Sequence, residues 1–71
     1  NNLRKYRQER GLSQLKLCMI TGISTTDISR LENGWVKPFP SWRKRLSDAL
    51  NVPEAELFPE EVNDDKSAND S

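Results

Sequence analysis

The sequence predicts an all-α fold, a compact set of five short helices in which the second and third meet at a tight turn. Three observations carry that expectation. Trp42, Leu46, Ala49 and Leu50 recur at i, i+4, i+7 and i+8, the stripe of a helix packed on a core. No stretch shows the alternation of a half-buried strand. Gly11, Gly22 and Gly34 stand where the helical stretches stop, as residues able to take the left-handed conformation that ends a helix.

Each element follows in order. Helix one is expected over Asn2 to Arg10, with Asn1 or Asn2 as its cap, Leu3 and Tyr6 on one side, and Gly11 at its end. Leu12 returns to the core. Ser13 caps helix two, which runs to about Thr21 and stops at Gly22. Ile23 plugs the junction, and Ser24 caps helix three, which continues to Leu31 or Glu32. A connection of about three residues forces the two helices to cross steeply. Asn33-Gly34 ends helix three. Trp35 to Pro40 is irregular, because Pro38 and Pro40 constrain the residues before them and lack a backbone donor. Ser41 is expected to cap helix four, reaching about Leu50. Val52-Pro53 opens a last short helix with Glu54 and Glu56 near its positive end. Leu57 and Phe58 close the core, and Pro59 is expected to stop the ordered structure.

Composition excludes several classes of function. Cys18 is the sole cysteine among 71 residues and histidine is absent, so neither an intramolecular disulfide nor a Ser-His or Cys-His catalytic pair is available. The carboxylates show no metal-ligand spacing, and the expectation is a non-enzymatic protein without cofactor or metal. No apolar run approaches the roughly 20 residues of a membrane span, and no signal peptide is visible. The missing starting methionine leads us to expect a processed or trimmed chain. Formal net charge is zero, but the charge is divided. Residues 1–58 hold ten Lys/Arg and six Asp/Glu, a net of +4, whereas residues 59–71 set Lys66 against Glu60, Glu61, Asp64, Asp65 and Asp70, a net of −4. The body is basic, and residues 59–71 are expected to form an acidic, flexible tail.

The run Ser13 to Gly34, SQLKLCMITGISTTDISRLENG, carries the chemistry. Two short helices around Gly22, the second led by small polar side chains, form the layout that sets one helix in the major groove of double-stranded DNA. Ile28 and Leu31, three apart, are assigned to the core, which leaves Thr25, Thr26, Ser29 and Arg30 on the outer side. A threonine offers a hydroxyl to a base edge and a methyl to thymine, and an arginine grips guanine O6 and N7. Asp27 is assigned to capping, since a carboxylate is repelled by phosphates. Gln14 at the start of helix two, Asn33 with the Gly34 turn, Lys37, Ser41 and Arg43 are the candidate phosphate contacts. Trp42 is expected in the core and Trp35 as a loop packing residue. A single-strand stacking platform is excluded, for the strands that carry one are missing.

LRKYRQERGLSQ, LCxxxGIS followed by ISRLENG, a proline, and a helix ending ALNVPEAELF come in that order over residues 2–58. Together they resemble the Cro/phage-repressor (XRE-type) helix-turn-helix. The resemblance implies a repressor-like DNA-binding domain over residues 1–58 with the helix-turn-helix at helices two and three. It implies a cytoplasmic transcriptional regulator, a repressor, nucleoid-associated when bound to operator DNA as a homodimer on a palindromic site. It places base contacts at Thr25, Thr26 and Arg30, with Ser29 between them, and pairs Arg7 with Glu32 in a structural salt bridge. There are departures from the family pattern. Cys18 stands where alanine is usual and is read as a tolerated small hydrophobe. Thr21 replaces a larger apolar residue. Leu15, Met19 and Ile20 stand where polar residues are frequent, and Arg43 and Lys44 where helix four is often apolar. Leu15 and Met19, four apart, either pack on the chain's own irregular segments or meet a protein partner. The alternative function is therefore an antitoxin or adaptor acting mainly through protein contacts.

Overall fold

Five α-helices follow one another in the computed structural model, which describes residues 1–61: α1 (Leu3–Glu9), α2 (Gln14–Thr21), α3 (Thr25–Glu32), α4 (Pro40–Leu50) and α5 (Glu54–Leu57). The fold is all-α, with no strand among the described residues. Residues 62–71, most of the expected acidic tail, lie outside them.

Several helix ends are set by residues that sequence reasoning singled out. The Asn1 Oδ1 accepts from the Leu3 amide at 3.1 Å, while Asn2, at the capping position, makes no side-chain cap. Ser13 accepts from the Lys16 amide at 3.0 Å and opens α2. Gly22 closes α2 at φ +78, returning its amide to the Cys18 carbonyl at 2.7 Å. Buried Thr21 satisfies its own hydroxyl locally: it donates to the Leu17 carbonyl at 2.8 Å and accepts from the Ile23 amide at 3.2 Å. The threonine thus replaces apolar bulk with two hydrogen bonds that fasten the turn.

The core draws on every helix and on the turns between them. Leu3, Leu17, Ile23, Ile28, Leu31, Leu46, Leu50, Val52, Leu57 and Phe58 are buried together, with Tyr6, Leu12, Cys18, Trp42 and Ala49 packed around them. Helix α2 packs against α3 and α4, α4 against α5, and α1 against α3. The first residues are clasped to the last: the Asn2 amide donates to the Leu57 carbonyl at 3.0 Å, and its side chain to the Glu56 carbonyl at 2.8 Å.

Four expectations are corrected. Helix α4 opens at Pro40, not behind a Ser41 cap, with Phe39 in extended backbone before it. A proline presets the helical φ and its missing donor is no loss in a first turn, so Pro40 begins the helix and Ser41 rides within it. By the same physics Pro59 starts a further helical turn over residues 59–61, its Glu61 amide bonded to the Phe58 carbonyl at 3.2 Å, instead of ending the structure. Trp35 does not pack in its loop; it is 74 % exposed. Leu15 and Met19 are 62 % and 70 % exposed beside a half-exposed Ile20, so they do not fold back on the chain's own irregular segments. No described helix is long and apolar enough to cross a membrane.

Candidate nucleic-acid interface

Helix α3 is held at a fixed depth by the residues it buries. Ile28 and Leu31 are fully buried, and Ile23 seals the turn that precedes the helix. The opposite side carries Thr26 and Arg30, both exposed, flanked by half-buried Thr25 and Ser29. The four side chains singled out from the sequence therefore lie together on one polar surface of one helix.

Both ends of α3 are fastened. At the start, the Ser24 hydroxyl accepts from the Asp27 amide at 3.1 Å and donates to the Asp27 carboxylate at 2.9 Å. Asp27 thus faces the cap and the positive end of the helix. At the finish, Gly34 at φ +73 returns its amide to the Leu31 carbonyl at 3.0 Å, and the Trp35 amide reaches the Arg30 carbonyl at 2.9 Å. This paired closure satisfies the last carbonyls and leaves the chain leaving the helix in one direction.

Glu32 gathers the supporting elements. Its side chain is wholly buried and accepts from Arg7 through Nε and Nη2, the latter at 3.2 Å. The Arg4 Nε at 3.3 Å and the Gln14 Nε2 at 3.1 Å complete the set. Arg7 also donates to the Leu12 carbonyl at 2.8 Å. One carboxylate therefore joins α1, the start of α2 and the end of α3. Burial alone would raise its pKa, but the donors from Arg7, Gln14 and Arg4, with the Arg7 charge, outweigh it and hold the carboxyl below its ordinary value of 4.5. Sequence reasoning paired Arg7 with Glu32 but missed Arg4 and Gln14 in this role. The available signal was that Arg4 precedes Arg7 by one helical turn on the same face.

The remaining candidates are dispersed around the helix ends. Gln14 directs its side chain inward to Glu32, so what it offers outward is the free amide edge of the first turn of α2. The exposed Asn33 amide donates to the Ser29 carbonyl at 2.8 Å, and its oxygen accepts from Arg4 at 3.5 Å. Lys37 and Ser41 are exposed. Arg43 is half-buried and turned toward α5, its Nε 3.3 Å from Glu54. Among the described residues no cluster of three or more His, Cys, Asp or Glu side chains gathers as a metal site.

A family described as a helix-turn-helix domain matches residues 1–58. The chain belongs to that family, in its Cro/phage-repressor (XRE-like) branch. Among curated proteins, the HTH-type transcriptional repressor RghR of Bacillus subtilis (strain 168) is 42 % identical over 52 residues, 72 % of this chain. The chain spans 38 % of that relative's length. No solved structure matches. The helix-turn-helix of this DNA-binding regulatory domain is α2–Gly22–α3.

Proposed function

We propose that this domain reads double-stranded operator DNA for a transcriptional repressor, with α3 in the major groove. Thr25, Thr26, Ser29 and Arg30 are the base contacts. Gln14, Asn33, Lys37, Ser41 and Arg43 meet phosphates and set the register, with Arg43 exchanging its carboxylate partner Glu54 for the backbone. One observation supports this above the rest: full burial of Ile28 and Leu31 leaves that polar quartet as the outer surface of a helix fastened at both ends. The similarity to a transcriptional repressor favours repression. Such a protein acts in the cytoplasm, at the nucleoid, as a homodimer on a two-fold site.

Selection of bound duplexes from a random pool tests this reading. Enrichment of a palindrome with half-sites about one helical turn apart is expected. Arg30→Ala should then lower affinity for the selected site by about 1–3 kcal/mol and relax the preference at one base pair per half-site. No enrichment at low salt would sink the proposal.

A second reading has its own observation. Leu15, Met19 and Ile20 form an exposed apolar surface on α2, away from the buried side of the helix. On that reading the domain is an antitoxin or adaptor and α2 takes the partner protein. Leu15→Lys with Met19→Lys would then abolish partner binding and leave DNA affinity intact.

A further inference from the structure

Trp35 sits where the recognition helix ends, and the rest of the protein leaves its side chain alone. It is 74 % exposed, the most exposed large apolar residue among those described, and its indole N–H has no acceptor among the described residues. Its backbone is nevertheless fixed. The Trp35 amide is bonded to the Arg30 carbonyl at 2.9 Å, and Gly34 before it takes the left-handed turn. The ring is thus carried on a fixed stretch of backbone at the end of α3, between Asn33 and Lys37. An exposed tryptophan has only two side-chain torsions to fix, and its backbone is already ordered, so covering it costs little conformational freedom.

Charge identifies the occupant. From Asn33 to Ser47 the chain holds Lys37, Arg43, Lys44 and Arg45 and no carboxylate. Arg43 faces Glu54 and Lys44 faces Asp48, carboxylates from outside the stretch, and Lys37 is engaged as well. A second copy of the chain would bring a like-charged segment to this place. A polyanion would bring the complementary one.

We propose that Trp35 is a DNA-contacting residue, its indole covering a deoxyribose beside the half-site and its N–H donating to the adjoining phosphate. This inference rests on the DNA-binding reading of α3 and adds to it an uncharged clamp at the edge of the footprint. Such a contact strengthens binding without reading sequence and without releasing a counterion.

The whole chain is tested on a duplex selected as above, with binding followed independently by anisotropy of labelled DNA. In the Trp42→Phe variant only Trp35 reports. Its emission should shift to shorter wavelength, and its quenching by acrylamide should fall several-fold, as the duplex saturates. Trp35→Ala should weaken selected and scrambled duplexes alike, by about tenfold. The slope of affinity against salt should stay unchanged, in contrast to a lysine contact. Trp35→Phe, which keeps a ring and loses the donor, should fall between. If anisotropy shows saturation while Trp35 emission and quenching do not move, the clamp is refuted and the reading of α3 stands. If the wild-type chain does not bind, the reading of α3 fails first. An emission shift that depends on protein concentration without DNA, together with a dimer weakened by Trp35→Ala, would assign the residue to self-association and overturn the proposal.

Discussion

Glu32 shows how much one buried charge decides in a domain of this size. Its carboxylate has no exposed surface and four donor atoms from three side chains point at it. Truncating it leaves Arg7, itself nearly buried, with a charge and no counterpart. Removing one member of such a pair costs about 3–5 kcal/mol, a large share of the roughly 5–15 kcal/mol that holds a small domain together. Glu32→Ala should therefore lower the urea midpoint steeply, and Glu32→Gln, which retains an acceptor, less so. The same residue sets an acid limit. Because its pKa is lower folded than unfolded, the unfolded chain binds more protons in the interval between the two values, and there stability rises with pH. The contribution is complete above the ordinary carboxyl value and disappears as pH falls through the folded one. Melting curves below about pH 4.5 should show wild type losing stability faster than Glu32→Gln.

At the scale of elements, the short connection between α2 and α3 depends on local chemistry. Gly22 sits at φ +78, and a Cβ added there meets nothing nearer than the end of the Arg45 side chain at 4.0 Å. Gly22→Ala should therefore pay only for the left-handed backbone, about 1–2 kcal/mol. Ser24→Ala removes a cap worth about 1 kcal/mol and should lower the melting temperature by about 4–8 °C. Ser13, Gly22, Ser24 and Gly34 were legible in the sequence because each acts within three or four residues of itself. So was the buried set, since Ile28, Leu31, Leu46 and Leu50 follow helical spacing. Other positions were not legible. Ser41 looked like a cap because a serine ahead of an apolar stripe usually is one, and Pro40 preempted it. Trp35 looked like packing because large aromatics usually are buried, yet the turn at Gly34 aims it outward. The Gln14 contact to Glu32 joins residues 18 positions apart that only tertiary structure brings together, and for Arg4 the sequence offered no more than its place one turn from Arg7.

On the scale of the whole molecule, a net charge of zero conceals two opposed parts. The helical body is basic, and residues 62–71 set Lys66 against Asp64, Asp65 and Asp70. Removing those ten residues takes the formal charge from zero to +2. The shortened chain should bind DNA a few-fold more tightly at low salt, an advantage that fades as ionic strength rises and the Debye length contracts. Lys37→Ala should lower the salt slope by about one, and an unchanged slope would remove that residue from the phosphate contacts.

The clasp between Asn2 and Leu57 holds the start of α1, the helix whose Arg4 and Arg7 reach the end of α3. Were α1 to detach when the clasp opens, it would take Arg4 and Arg7 with it, and the buried carboxylate at the end of α3 would lose its cations in the same event. Fraying at the edge and loosening of α3 would then share one opening. In hydrogen exchange, amides of α1 and of the last turn of α3 would report the same free energy, and a bound duplex would slow both together.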